Sequence, residues 1–131
     1  MTDTYVYLIR EKDWDSDRFL PGAPPDPEAE AENTFAEHAA FQEAVGALGA
    51  RIVSGSALQK ASYGGVVSPG AGDRAVTDAV YTDSPYADSS ELITGFYAVE
   101  VADEAMARTV AALVPTGGTV EWRKVFPFGD D

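Results

Sequence analysis

The order of its apolar segments constrains this chain more than any other feature. Tyr5-Val6-Tyr7-Leu8-Ile9 is apolar at every position, as expected of a central strand covered on both sides. Arg51 to Leu58 reads as a second strand and Thr119 to Val125 as a last one. Between them, Leu92 to Val101 is a strong strand, with Phe96, Ala98 and Glu100 alternating against Gly95, Tyr97, Val99 and Val101. Helical stretches separate the first two strands and the last two. One starts at Asp26-Pro27, an N-cap followed by a residue whose fixed φ suits a first turn. Glu28, Glu30 and Glu32 sit at its positive end, and it runs to about Leu48 with Gly49 as a left-handed terminator. The other is capped by Asp103, carries Met106, Val110 and Leu113 at helical spacing, and is stopped by Pro115. The stretch from Lys60 to Gly72 is polar and Gly-rich, and Val66-Val67 is expected to form a weak hairpin with a strand at Arg74 to Tyr81. From Glu11 to Asp26, Gly22 and Pro21, Pro24, Pro25 and Pro27 forbid regular structure, so this segment reads as an excursion or lid.

This order, β-α-β, an added hairpin, then β-α-β, predicts one α+β domain over residues 1–131 on the ferredoxin-like βαββαβ plan. In that plan a four-stranded antiparallel sheet carries both helices on one face. The other face would expose Val, Tyr and Phe side chains, and a second copy of the same sheet is the expected cover, which makes the chain a homodimer. A chain of 131 residues with 2 Trp, 6 Tyr and 6 Phe can build such a core without disulfides.

Composition removes several classes of function. Twenty-two Asp and Glu against 9 Lys and Arg leave a net charge of −13, and a surface of that sign repels polyanions, so no nucleic-acid partner is expected. The absence of cysteine excludes disulfides, thiolate metal sites and a Cys nucleophile. No apolar run reaches the ~18 residues of a membrane span. Tyr5 to Ile9 is too short for the apolar region of a signal peptide, so the expectation is a soluble, cytoplasmic protein. Glu28, Glu30, Glu32 and Glu37 have no second histidine beside them and read as solvated charge, not as metal ligands. Gly64-Gly65 and Gly117-Gly118 are turns without the Lys and Ser/Thr of a phosphate loop, so no cofactor is implied.

The candidate site centres on His38, the only histidine. His38, Phe41, Val45 and Leu48 are spaced 3, 4 and 3, which aims them at the core. Two readings stay open: a hydrogen-bonded core imidazole, or a proton-transferring group at a cleft. Asp83-Ser84-Pro85-Tyr86 is a turn in which Asp83 either holds the loop or faces the cleft, with Tyr86 as its wall. Tyr7 and Tyr97 are expected to line a pocket, Tyr5 and Trp122 to pack on the sheet. Arg123 either meets an anionic substrate or pairs with Glu121 or Glu100.

Thr82-Asp83-Ser84-Pro85-Tyr86-Ala87-Asp88, followed by Glu91-Leu92 and Gly95-Phe96-Tyr97, resembles the signature of the YCII-related family, also called the DGPF-domain family. His38-Ala39-Ala40-Phe41 resembles the family's helix-1 histidine, Ala57-Leu58-Gln59 its Gly-Leu-Gln segment, and Gly118-Thr119-Val120-Glu121-Trp122-Arg123 its closing strand. Ser84 stands where the family has Gly, and Lys124 where a Pro is common. The resemblance implies a dimeric α/β barrel fold similar to that of muconolactone isomerase, and a catalytic pair at His38 and Asp83. One branch of the family looks like a dehydrochlorinase acting on a chlorinated hydroquinone; other members occur with extracytoplasmic-function sigma factors. The resulting expectation is a cofactor-free lyase or isomerase acting on a small aromatic or phenolic molecule. The rival is a non-catalytic binding or regulatory module, linked to sigma-factor regulation.

Overall fold

Alternation along the first strand decides which way the core faces. In the computed structural model, which describes residues 2–12, 20–24, 35–60, 63–82 and 92–128, strand β1 (Asp3–Glu11) buries Tyr5, Tyr7 and Ile9 and leaves Val6 and Leu8 half-buried on its other face. The remaining elements are helix α1 (Phe35–Ala47), β2 (Arg51–Ala57), β3 (Val66–Ser68), β4 (Val80–Thr82), β5 (Leu92–Val101), helix α2 (Glu104–Leu113) and β6 (Thr119–Lys124). The helix start at Asp26-Pro27, Trp14, Phe19 and the Asp83 to Tyr86 turn lie outside the described residues.

The main sheet has the order β2-β5-β1-β6, with every neighbouring pair antiparallel, and it does not close into a barrel. Tyr7 stands opposite Tyr97 on one side and Trp122 on the other, so the three rings share one face. Both helices lie on that face. Helix α1 reaches it through Phe41, whose ring centroid is 4.8 Å from that of Tyr97. Helix α2 reaches it through Ala107, whose carbonyl accepts a 2.8 Å hydrogen bond from the Tyr7 hydroxyl. Val45, Val99, Val101, Val110 and Val114 complete the core. The architecture is α+β. No helix among the described residues is long and apolar enough to cross a membrane.

Two helix stripes are shifted from their expected positions. Leu48 and Leu113 are exposed. Helix α1 ends at Ala47 and Gly49 takes the left-handed φ of +85° expected of it, which turns the chain before Leu48 can face inward. On α2 the inward row is Ala107, Val110 and Val114; Ala107 lets the helix backbone come within reach of the Tyr7 hydroxyl, and that rotation turns Leu113 outward. The hairpin forms between β3 and β4, with Val66 opposite Thr82, and not from Arg74 onward. Arg74 has φ of +56° and a 3-10 turn spans Val76–Asp78, neither of which fits an extended strand.

Asp103 is the cap that its position implies: its carboxylate accepts from the Met106 amide at 2.9 Å. Asp103→Ala is expected to cost about 1 kcal/mol in denaturant unfolding, and Asp103→Ser much less, because a serine hydroxyl also accepts from that amide.

Candidate functional site

Two β-bulges shape the end of the sheet where α1 crosses it. The β1–β5 register shifts between Ile9 and Arg10, with Ile9 opposite Gly95 and Arg10 opposite Ile93, so Thr94 is the extra residue. Thr94 is thereby turned inward and is only 5% exposed. The β2–β5 register shifts between Ile52 and Ser54, with Val53 the extra residue, and this brings Gly55 opposite Tyr97. That pairing has a steric consequence. A Cβ at Gly55 would lie 2.6 Å from Cδ1 of Tyr97, so the glycine leaves the space in which the tyrosine ring lies. Gly55→Ala is expected to push the ring off its position and cost ~1–3 kcal/mol, the range for overpacking a filled site. Thermal melting and loss of the Tyr97 contacts in NMR spectra check it.

The ring so placed meets the only histidine. Tyr97 Oη lies 2.6 Å from His38 Nδ1, and the two rings sit 5.7 Å apart between centroids. Burial raises the Tyr97 pKa, with a smaller opposing effect from Gln42 one turn along α1, so the phenol keeps its proton at neutral pH. The phenol then donates to Nδ1, which leaves Nε2 of the imidazole to carry the ring's own proton.

His38 is half-buried and lines a cleft of about 250 Å³. Glu11, Gln42, Ser56, Thr94 and Tyr97 line it with polar atoms; Ile9, Ala57 and Pro115 supply apolar wall. Glu11 is held in place on both oxygens. Oε1 accepts from Thr94 Oγ1 at 3.2 Å, and Oε2 accepts from Thr116 Oγ1 and from the Gly117 amide, each at 3.1 Å. Burial lowers the His38 pKa below the ordinary 6.5, while the carboxylates of Glu11 and Glu37 pull it back up. The imidazole is therefore neutral at pH 7.

That shift has a sign for stability. A histidine whose folded pKa lies below its unfolded value takes up more protons on unfolding, so stability falls as pH drops below about 6.5 and stops falling past the folded pKa. As the only histidine, His38 gives a single imidazole signal, and an NMR titration is expected to place its midpoint below 6.5. His38→Gln is expected to lack the corresponding step in a stability-against-pH curve.

The structure brings His38 and Tyr97 together. It places Tyr7 elsewhere: fully buried under α2, with its hydroxyl pKa pushed up to about 12 by burial and by neighbouring Tyr5. Arg123 lies on the sheet face away from the helices, exposed and paired with Glu121 at 2.8 Å. Asp83 and Tyr86 lie outside the described residues. Glu11, Gln42, Thr94 and Gly55 are site residues that sequence reasoning missed. The one available signal was a polar threonine in the apolar run Leu92 to Val101.

A family model of the YCII-related domain matches residues 15–129, most of the chain. The chain belongs to the YCII-related family. The matched span contains His38, Gln42, Gly55, Thr94 and Tyr97, and leaves Ile9 and Glu11 on β1 outside it. No curated protein matches the chain.

Proposed function

We propose that this YCII-related protein is a cofactor-free lyase or isomerase that moves protons on a small aromatic or phenolic molecule, with His38 as the proton-transferring group. The observation that carries this reading is a neutral, half-exposed imidazole at the wall of a cleft, one of its nitrogens already held by a buried hydroxyl. A core histidine serving only packing would be sealed from the cleft. Here Nδ1 is spent on Tyr97, so Nε2 is the atom that exchanges a proton with a bound molecule. Tyr97 keeps its own proton and orients the ring, and the proton that Nε2 gives up at one atom of the bound molecule is replaced by one taken from another. Asp83, the partner expected from the family signature, lies outside the described residues, and with Nδ1 held by Tyr97 and Nε2 facing the bound molecule the ring has no third nitrogen for it. A volume of about 250 Å³ suits a substituted benzene.

The strand order β2-β5-β1-β6 with both helices on one face supports the ferredoxin-like reading. Val6, Leu8, Phe96 and Ala98 on the opposite face support a homodimer joined through it. Sedimentation at micromolar concentration checks this; a single-chain mass would refute the dimer.

The functional test is deuterium exchange. Small di- and trihydroxybenzenes incubated with the protein in D2O are expected to take up ring deuterium faster than in buffer alone, and His38→Gln is expected to remove the excess. Shifts of the His38 signal without accelerated exchange would instead establish a binding module. No exchange and no shift would leave the imidazole without a ligand and overturn the proposal.

A further inference from the structure

The charges around the cleft are arranged one way. Glu11 is the sole charged side chain among the described residues that line it, and its three hydrogen bonds keep the carboxylate from swinging away. Eight of the nine Lys and Arg residues lie among the described residues, and none lines the cleft. Several are engaged elsewhere. Arg10, adjacent to Glu11 in sequence, points to the opposite sheet face and pairs with Glu121 at 3.1 Å. Arg51 pairs with Glu100 at 3.0 Å, Arg123 with Glu121, and Lys124 with Asp3 at 3.5 Å. Arg108 lies over the Trp122 ring.

An anionic ligand in this cleft would meet a fixed carboxylate and find no cation among the described lining residues, within a chain of net charge −13. We infer that Glu11 is a specificity-determining residue: the cleft takes neutral and cationic aromatic ligands bearing a hydrogen-bond donor, and turns away carboxylates, phosphates and sulfates. This rests on the cleft being the ligand site, as proposed above, but not on any reaction there. A ligand hydroxyl or ammonium would donate to Glu11, whose Oε1 has one lone pair left over after the three bonds. The field of the same carboxylate already reaches His38, since it raises the imidazole pKa.

Three probes of nearly equal shape separate the charge classes: 4-hydroxybenzyl alcohol, 4-(aminomethyl)phenol and 4-hydroxybenzoate. Each is titrated into the protein at pH 7.5 while the His38 imidazole signal is followed. The alcohol and the amine are expected to shift it, and the benzoate to bind on the order of tenfold more weakly or worse, the effect of a like charge in a half-open cleft. Glu11→Gln is expected to remove the difference and to lower the His38 pKa further, with circular dichroism confirming the fold. Benzoate binding as tight as the alcohol in the unaltered protein would overturn the inference and leave the proposed function intact. A silent imidazole with all three probes would overturn both. Failure of deuterium exchange alone would overturn only the proposed reaction.

Discussion

Replacing His38 by glutamine is expected to lower turnover of any substrate of this cleft by ~10²–10⁴-fold, the usual contribution of a general acid–base group. The magnitude follows from the chemistry of the position. Neutral imidazole both gives and takes a proton near pH 7, and no other described side chain lining the cleft does so: Glu11 is committed to three donors, and burial holds the Tyr97 phenol in its protonated form. Glutamine keeps a planar polar group beside Tyr97 but cannot exchange a proton. His38 is only half-buried, so the melting temperature of His38→Gln is expected to stay close to that of the parent. Tyr97→Phe is expected to reduce the rate less and to change its pH profile, because it frees Nδ1 and removes the preference for one tautomer. A folded and fully active His38→Gln protein would refute the assignment.

Phe41→Ala is expected to be the most destabilising single change in the site region, at ~3–5 kcal/mol. Phe41 is 3% exposed and its ring packs at 4.8 Å and 47° against Tyr97, so its removal leaves a cavity between α1 and the sheet. For a domain of this size each kcal/mol lowers the melting temperature by about 2–8 °C, so a drop of at least about 6 °C is expected. Tyr97 would lose the ring that backs it, and the Tyr97–His38 hydrogen bond would loosen with it. Phe41→Leu, which keeps most of the volume, is expected to cost well under half as much. A cost below about 1 kcal/mol for Phe41→Ala would show that α1 does not pack on the sheet as described.

Much of the fold was legible in the chain because its determinants are local. Strand and helix periods, the Asp103 carboxylate three residues before the Met106 amide, and a glycine where α1 must stop all act within a few residues. The histidine was legible as well, since a lone imidazole at helical spacing from Phe41 and Val45 faces the sheet. Leu48 and Leu113 show the limit of this reading. Both fit an apolar stripe by spacing, yet helix termination at one end and the approach of α2 to Tyr7 at the other turned them outward.

The sequence by itself determined the element order, the α+β class, the family and the direction in which His38 faces. Only the tertiary structure decided what His38 meets. Its partner Tyr97 is 59 residues away, and the space for that ring exists because a bulge at Val53 slides Gly55, not Ser54, opposite it. Glu11 read as the start of an irregular segment; it became the charged residue of the cleft because a second bulge turned Thr94 inward to hold it. Bulges are set by the register between strands about 40 to 90 residues apart. That register comes from the packing of whole faces, so no local pattern announces which residue will be the extra one.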